Sequence, residues 1–114
     1  FERDLTIAQR LGDRRAEGRA LGNLGLAYRL AGQAERALSF YDQHISIART
    51  VSDRRGEANS AWNRALALDA LSRREEAIQY AEQALRLREA IADPRADVAN
   101  ALAAWRSDPT GSPR

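Results

Sequence analysis

The chain has 114 residues, 44% of them hydrophobic and 30% charged, enough for one small domain with one core. It has no Cys and a single His, which excludes a disulfide framework, a thiol nucleophile and a thiolate metal site. The net charge is only +2; the pI of about 9.7 is high because all 18 basic residues are Arg, so no basic group titrates near pH 10, and it is not a nucleic-acid signature. No apolar run is long enough to span a membrane and there is no signal-peptide pattern, so a cytoplasmic setting is the default expectation. Much of the hydrophobic fraction is Ala, Val, Ile and Thr are few, and Pro is confined to the last quarter. That composition suits closely packed helices and argues against sheet.

In chain order, three stretches line up at a spacing of 40 residues: Leu11-Gly12-Asp13-Arg14-Arg15-Ala16-Glu17, Val51-Ser52-Asp53-Arg54-Arg55-Gly56-Glu57 and Ile91-Ala92-Asp93-Pro94-Arg95-Ala96-Asp97. Each reads as one helix ending and the next beginning. The small residue permits the closing turn, the Asp is a good N-cap, Pro94 stands where a first helical residue would be, and the acid sits in the first turn, where the helix dipole favours it. A second break falls inside each repeat, at Gly32-Gln33 and Ser72-Arg73.

The fold class expected is all-α: a solenoid of antiparallel helix hairpins. Residues 1–11 are the second helix of a truncated repeat, 14–51 and 54–91 are full repeats, and 95–106 is a capping helix. Together 1–106 form the repeat domain. The helices are expected near 14–31, 34–51, 54–71 and 74–91, each about 17 residues and roughly 25 Å long. The tail, 107–114, reads as disordered. Within helices the apolar residues keep helical spacing, as at Leu21, Leu24, Tyr28 and Ala31. By the register, Phe1 aligns with Tyr41 and Ala81, halfway through a hairpin. An apolar face is therefore expected open at the N-terminal end and packed on another chain, and the sequence reads as the C-terminal part of a longer array.

Leu24-Gly25-Leu26-Ala27-Tyr28, then Gly32, Ala37 and Tyr41, resemble the tetratricopeptide repeat, with His44 where Ala is usual. The second repeat is looser: Arg64-Ala65 stands for Leu-Gly, Leu68 for Tyr and Ser72 for Gly, while Ala77, Ala81 and Ala84 keep the small positions. The ordinary repeat has about 34 residues; this longer form is similar to Pins/LGN adaptors and kinesin light chain. The resemblance implies a right-handed superhelix and a non-catalytic scaffold without cofactors, whose partner is a protein or peptide segment bound, as an extended peptide or a partner helix, in a concave groove lined by the first helix of each hairpin. It also carries a peptide-binding role onto Arg19 and Asn23. Asn59 and Asn63 fill the same slots one repeat later. The stretch from Trp62 to Trp105 is similar to the terminal repeats of long bacterial proteins in which such repeats follow a signalling ATPase, a TIR or a caspase-like domain, which makes a sensor or regulatory role the alternative.

The residue chemistry agrees with this groove. Positions four apart share a helix face, Asn offers donor and acceptor together, and Arg suits carboxylates. Trp62 is either a groove anchor or a packing residue against Trp105. Leu26 and Leu66 are expected as apolar groove floor. The bland alternatives are that Asn23 and Asn63 only bridge helices and that His44 is an ordinary helix residue. Arg64 falls where Leu is usual and has to reach solvent or an acid such as Asp69. Arg14, Arg15, Arg54, Arg55 and Arg95 recur along one edge; Glu17 and Glu57, three residues beyond Arg14 and Arg54, are expected to blunt it by local pairing. Nucleic-acid binding ranks last, because charge is nearly balanced and stacking residues are scarce.

Overall fold

The computed structural model describes residues 2–92 and 95–108. They form six helices and, among the described residues, no strand: α1 (Glu2–Leu11), α2 (Arg14–Leu30), α3 (Ala34–Thr50), α4 (Arg54–Ala70), α5 (Arg74–Ala90) and α6 (Asp97–Ser107). Each helix packs on the next, and α2 also touches α4 across the intervening α3. This is a helical-repeat solenoid in which α2 and α4 are the neighbouring inner helices.

The turns follow one rule. The backbone enters the left-handed region at Gly12, Gly32, Ser52, Ser72 and Ala92, once every 20 residues. At the first four, the amide of that residue donates to the carbonyl three residues back, and the following amide donates five residues back. At the first turn these are Gly12 N to Gln9 O at 3.2 Å and Asp13 N to Ala8 O at 3.0 Å. That pair of bonds closes the orphan carbonyls of a helix end. The next helix begins at once. Asp13 accepts from Ala16 N at 3.1 Å and Asp53 from Gly56 N at 3.0 Å, while Gln33 and Arg73 start helices without a side-chain cap.

The four middle helices end one residue before the positions expected from the sequence. The last begins at Asp97, two residues late, and keeps Ser107, which the sequence had suggested for the tail. The expected cap at Asp93 and helix start at Pro94, and the tail from 109 onward, lie outside the described residues.

The core runs between α2–α3 and α4–α5 and is closed by Val98, Leu102 and Trp105 of α6. Tyr41 is fully buried. It fits because a Cβ on Gly25 would stand 2.7 Å from its ring. Each full burial of a Leu- or Val-sized side chain contributes about 1.5–3 kcal/mol; Leu68, Val98 and Leu102 qualify. Arg64 is resolved as a packed residue. It grips Asp42 with two hydrogen bonds, at 2.6 and 3.2 Å, and lies 4.3 Å over the Tyr80 ring. Asp69, the partner suggested by sequence, binds Arg74 at 2.8 Å instead. Along the Arg edge, Arg14 pairs with Glu17 at 2.8 Å as expected, whereas Glu57 takes Arg49, not Arg54.

Candidate functional site

The inner helices frame a cavity of about 570 Å³. Arg19, Asn23 and Leu26 come to it from α2, and Asn59, Trp62 and Asn63 from α4. Six of the seven positions singled out from the sequence therefore meet in one wall. The seventh, Leu66, is not in that wall; it packs against the core as a partly buried residue. One face of a helix is wider than the groove, and Leu66 falls on the part of it that packs on the core.

The six differ in how freely they can meet a partner. Arg19 and Asn23 are exposed, and neither has a hydrogen-bond or ion-pair partner among the described residues. Asn63 accepts from Arg29 at 3.4 Å, which ties α4 to α2, and Asn59 accepts from Arg95 at 3.4 Å. The helix-bridging role weighed from sequence therefore applies to Asn63 and not to Asn23. Trp62 is half-buried: it lies 5.9 Å from the Trp105 ring and still lines the cavity.

Among the lining residues that sequence reasoning did not place there are three buried ones, His44, Ser60 and Arg88. His44 belongs to the outer helix α3, yet its ring passes between α2 and α4. Three glycines open that passage. A Cβ on Gly22 would stand 2.5 Å from Nδ1, one on Gly18 3.0 Å from Cδ2, and one on Gly56 3.1 Å from Nε2. Ser60 Oγ lies 2.5 Å from Nδ1, and Nε2 has no partner. Burial pushes the imidazole pKa below its ordinary 6.5. The Asp53 carboxylate opposes that shift and the Arg19 guanidinium adds to it. Arg88, 2% exposed, is held by Asp97 through one terminal nitrogen and leaves its Nε without a partner. The signal was present in the register. His44 aligns with Ala84 and Arg88 with Ala48, and a large residue at a small position needs space, which Gly18 and Gly22 advertise.

The wall carries five Arg (15, 19, 55, 88, 95) against two Asp (53, 97). Arg15 reaches Asp53 at 3.5 Å and the Val51 carbonyl at 3.1 Å. Among the described residues no group of three or more His, Cys, Asp or Glu could hold a metal ion. The site is a concave, cationic, amide-bearing recess with one aromatic side.

A family model described as tetratricopeptide repeat matches residues 19–90, more than half of the chain. The chain belongs to the tetratricopeptide repeat family. That assignment accounts for the hairpin stack, the small residues at Ala37, Ala77, Ala81 and Ala84, and the Gly25–Tyr41 contact as the means by which paired tetratricopeptide helices approach closely. Tetratricopeptide repeats generally mediate protein–protein interaction and are typically non-catalytic. No curated protein is similar enough to the chain to count as a match. No helix among the described residues is long and apolar enough to cross a membrane.

Proposed function

We propose that this tetratricopeptide chain binds an extended protein segment in the groove between α2 and α4, with Arg19 and Asn23 on one side and Asn59, Trp62 and Asn63 on the other. The observation that carries the reading is the convergence of these residues on one cavity together with Asn23, an exposed amide with no partner in the fold. A groove amide can meet both the N–H and the C=O of an extended backbone, so it binds without demanding one side chain. Trp62 supplies the apolar anchor and stays preset by Trp105, which lowers the ordering cost on binding. The 40-residue turn period supports the long-repeat subtype of Pins/LGN adaptors and kinesin light chain.

The test is selection of random 12-residue peptides on the protein, followed by affinity measurement on the winners. Asn23→Ala and Trp62→Ala should each weaken binding by about tenfold or more. Asn23→Ala is the cleaner variant, since that side chain holds nothing else in place. Unchanged affinity in both variants removes the groove assignment.

A second contact is proposed at the α1 end. Ile7 and Leu11 of α1 are 46% and 76% exposed, and Leu30 at the far end of α2 is 72% exposed. Exposed apolar residues on a terminal repeat helix suit a solenoid end that a second chain covers. Light scattering at high concentration should show self-association, and a strictly monomeric protein would count against it.

A further inference from the structure

The His44 imidazole is buried where the two hairpins meet. It belongs to α3 of the first hairpin, and its Nδ1 has Ser60 of α4, in the second hairpin, as partner at 2.5 Å. The ring stands against Gly18 and Gly22 of α2 on one side and Gly56 of α4 on the other. Close-packed interiors transmit strain, so a change in this ring is felt by both hairpins.

Asp53 joins the same helices at the α3–α4 turn. Its Oδ1 caps α4 by accepting from Gly56 N at 3.0 Å, and lies 3.5 Å from the Arg15 guanidinium of α2. Its Oδ2 and the imidazole Nε2 crowd one stretch of bare backbone: a Cβ on Gly56 would run into Oδ2 and stand 3.1 Å from Nε2. Yet no hydrogen bond joins them, for Nε2 has no partner. A neutral imidazole has one N–H, and either tautomer can serve Ser60 through Nδ1 while Nε2 goes without. The imidazolium has two. Its Nδ1–H goes to Ser60 Oγ, its Nε2–H needs an acceptor, and the carboxylate at hand is Asp53.

We propose that His44 and Asp53 form a proton-operated latch between the hairpins: when the ring takes a second proton from solvent, Asp53 leaves Arg15 for the Nε2–H, and α4 re-seats against α3. The charged groups that share the cavity with the ring are Arg15 and Arg19 from α2, Asp53 and Arg55 at the start of α4, and Arg88, Arg95 and Asp97 from the far wall. Burial and Arg19 oppose the second proton and Asp53 favours it, with burial the largest effect. The ring is therefore neutral at pH 7, and the latch operates below pH 6.5, the ordinary imidazole value. Arg15, His44 and Asp53 all line the recess between α2 and α4, so the step reshapes that recess and releases the Arg15 guanidinium at its rim. The latch does not depend on what the recess binds.

The chain has no Cys, so Ser39→Cys combined with Glu89→Cys puts two spin labels on exposed positions of the outer helices α3 and α5, clear of His44 and Asp53. Between pH 7.5 and 5.0 the distance between the labels should shift by about 1–2 Å, the size of a helix shift at an interface. The shift should follow the imidazole proton signal, which the chain's single His makes unambiguous. Circular dichroism should keep its helix signal throughout. His44→Gln should abolish the movement. Asp53→Asn is the sharper variant, because Asn caps a helix as well as Asp but offers no charge to an imidazolium. In that variant the fold should persist, the imidazole should titrate at lower pH, since Asp53 is what raises it, and the labels should stay still. A constant label distance while the imidazole titrates, or an Asp53→Asn chain that moves as the parent does, would overturn the latch. So would loss of helix in step with the imidazole signal, which would be plain acid unfolding.

Discussion

The two complete hairpins, α2–α3 and α4–α5, share helix length and turn geometry but distribute volume in opposite ways. In the first, bulk sits on the outer helix: Tyr41 and His44 project inward, and α2 yields with Gly18, Gly22 and Gly25. In the second, the equivalent outer positions are Ala81 and Ala84, and bulk moves to the inner helix as Trp62, in the slot of Gly22. A close-packed core fixes total volume but not which wall supplies it. The consequence is functional. The first hairpin delivers an imidazole to the groove through a glycine window, the second delivers an indole from its inner helix, and both line one cavity.

The largest test of this contrast is Tyr41→Ala, which gives the first hairpin the residue that the second uses. Without a compensating side chain on α2 it should cost about 3–5 kcal/mol in urea unfolding, the range for losing a buried aromatic. A loss below about 1 kcal/mol would mean that the hairpins tolerate either arrangement. Next comes Gly22→Ala. Its Cβ would meet the His44 ring at 2.5 Å, so a loss of about 1–3 kcal/mol is expected from overpacking. The same change in a His44→Ala background should cost much less. That double-mutant cycle reports the coupling directly, and additive costs would break the claim that the glycines exist for the imidazole.

Stability should also depend on pH through His44. Its folded pKa lies below the ordinary 6.5, so the unfolded chain takes the proton first as pH drops below that value. Above it both states are neutral and the full stability is present; below it stability is lost progressively until the folded pKa is passed. Urea titrations between pH 7.5 and 5.5 should show this slope, with His44→Gln markedly flatter. Glu76, whose carboxyl is held down by its hydrogen bond from Arg73, loses its contribution only at lower pH, below its usual 4.5, and does not confuse the window. The smallest effect concerns the turns. Ser72 adopts a left-handed backbone where the first hairpin has Gly32; Ser72→Gly should raise stability by about 0.5–1 kcal/mol, the strain relieved less the added chain entropy. A lower melting temperature would show that Ser72 has a role the backbone angle does not reveal.

What could be read from the chain is what local chemistry writes. Small residues every 20 positions, each before a helix start, disclose the turns because one residue's φ and two hydrogen bonds decide them within six residues. The 40-residue register then lined up Arg19, Asn23, Asn59, Trp62 and Asn63 without coordinates, since residues four apart on a helix must share a face. Tertiary structure decided the rest. That Leu66 turns to the core, that Asn63 is occupied by Arg29 while Asn23 is open, that Arg64 finds Asp42, and that His44 threads three glycines to meet Ser60 all depend on how one helix lies against another. The hydrogen-bonded pairs among them stand 16 to 34 residues apart in sequence, and no periodicity along one helix can indicate which neighbour fills a space on the next.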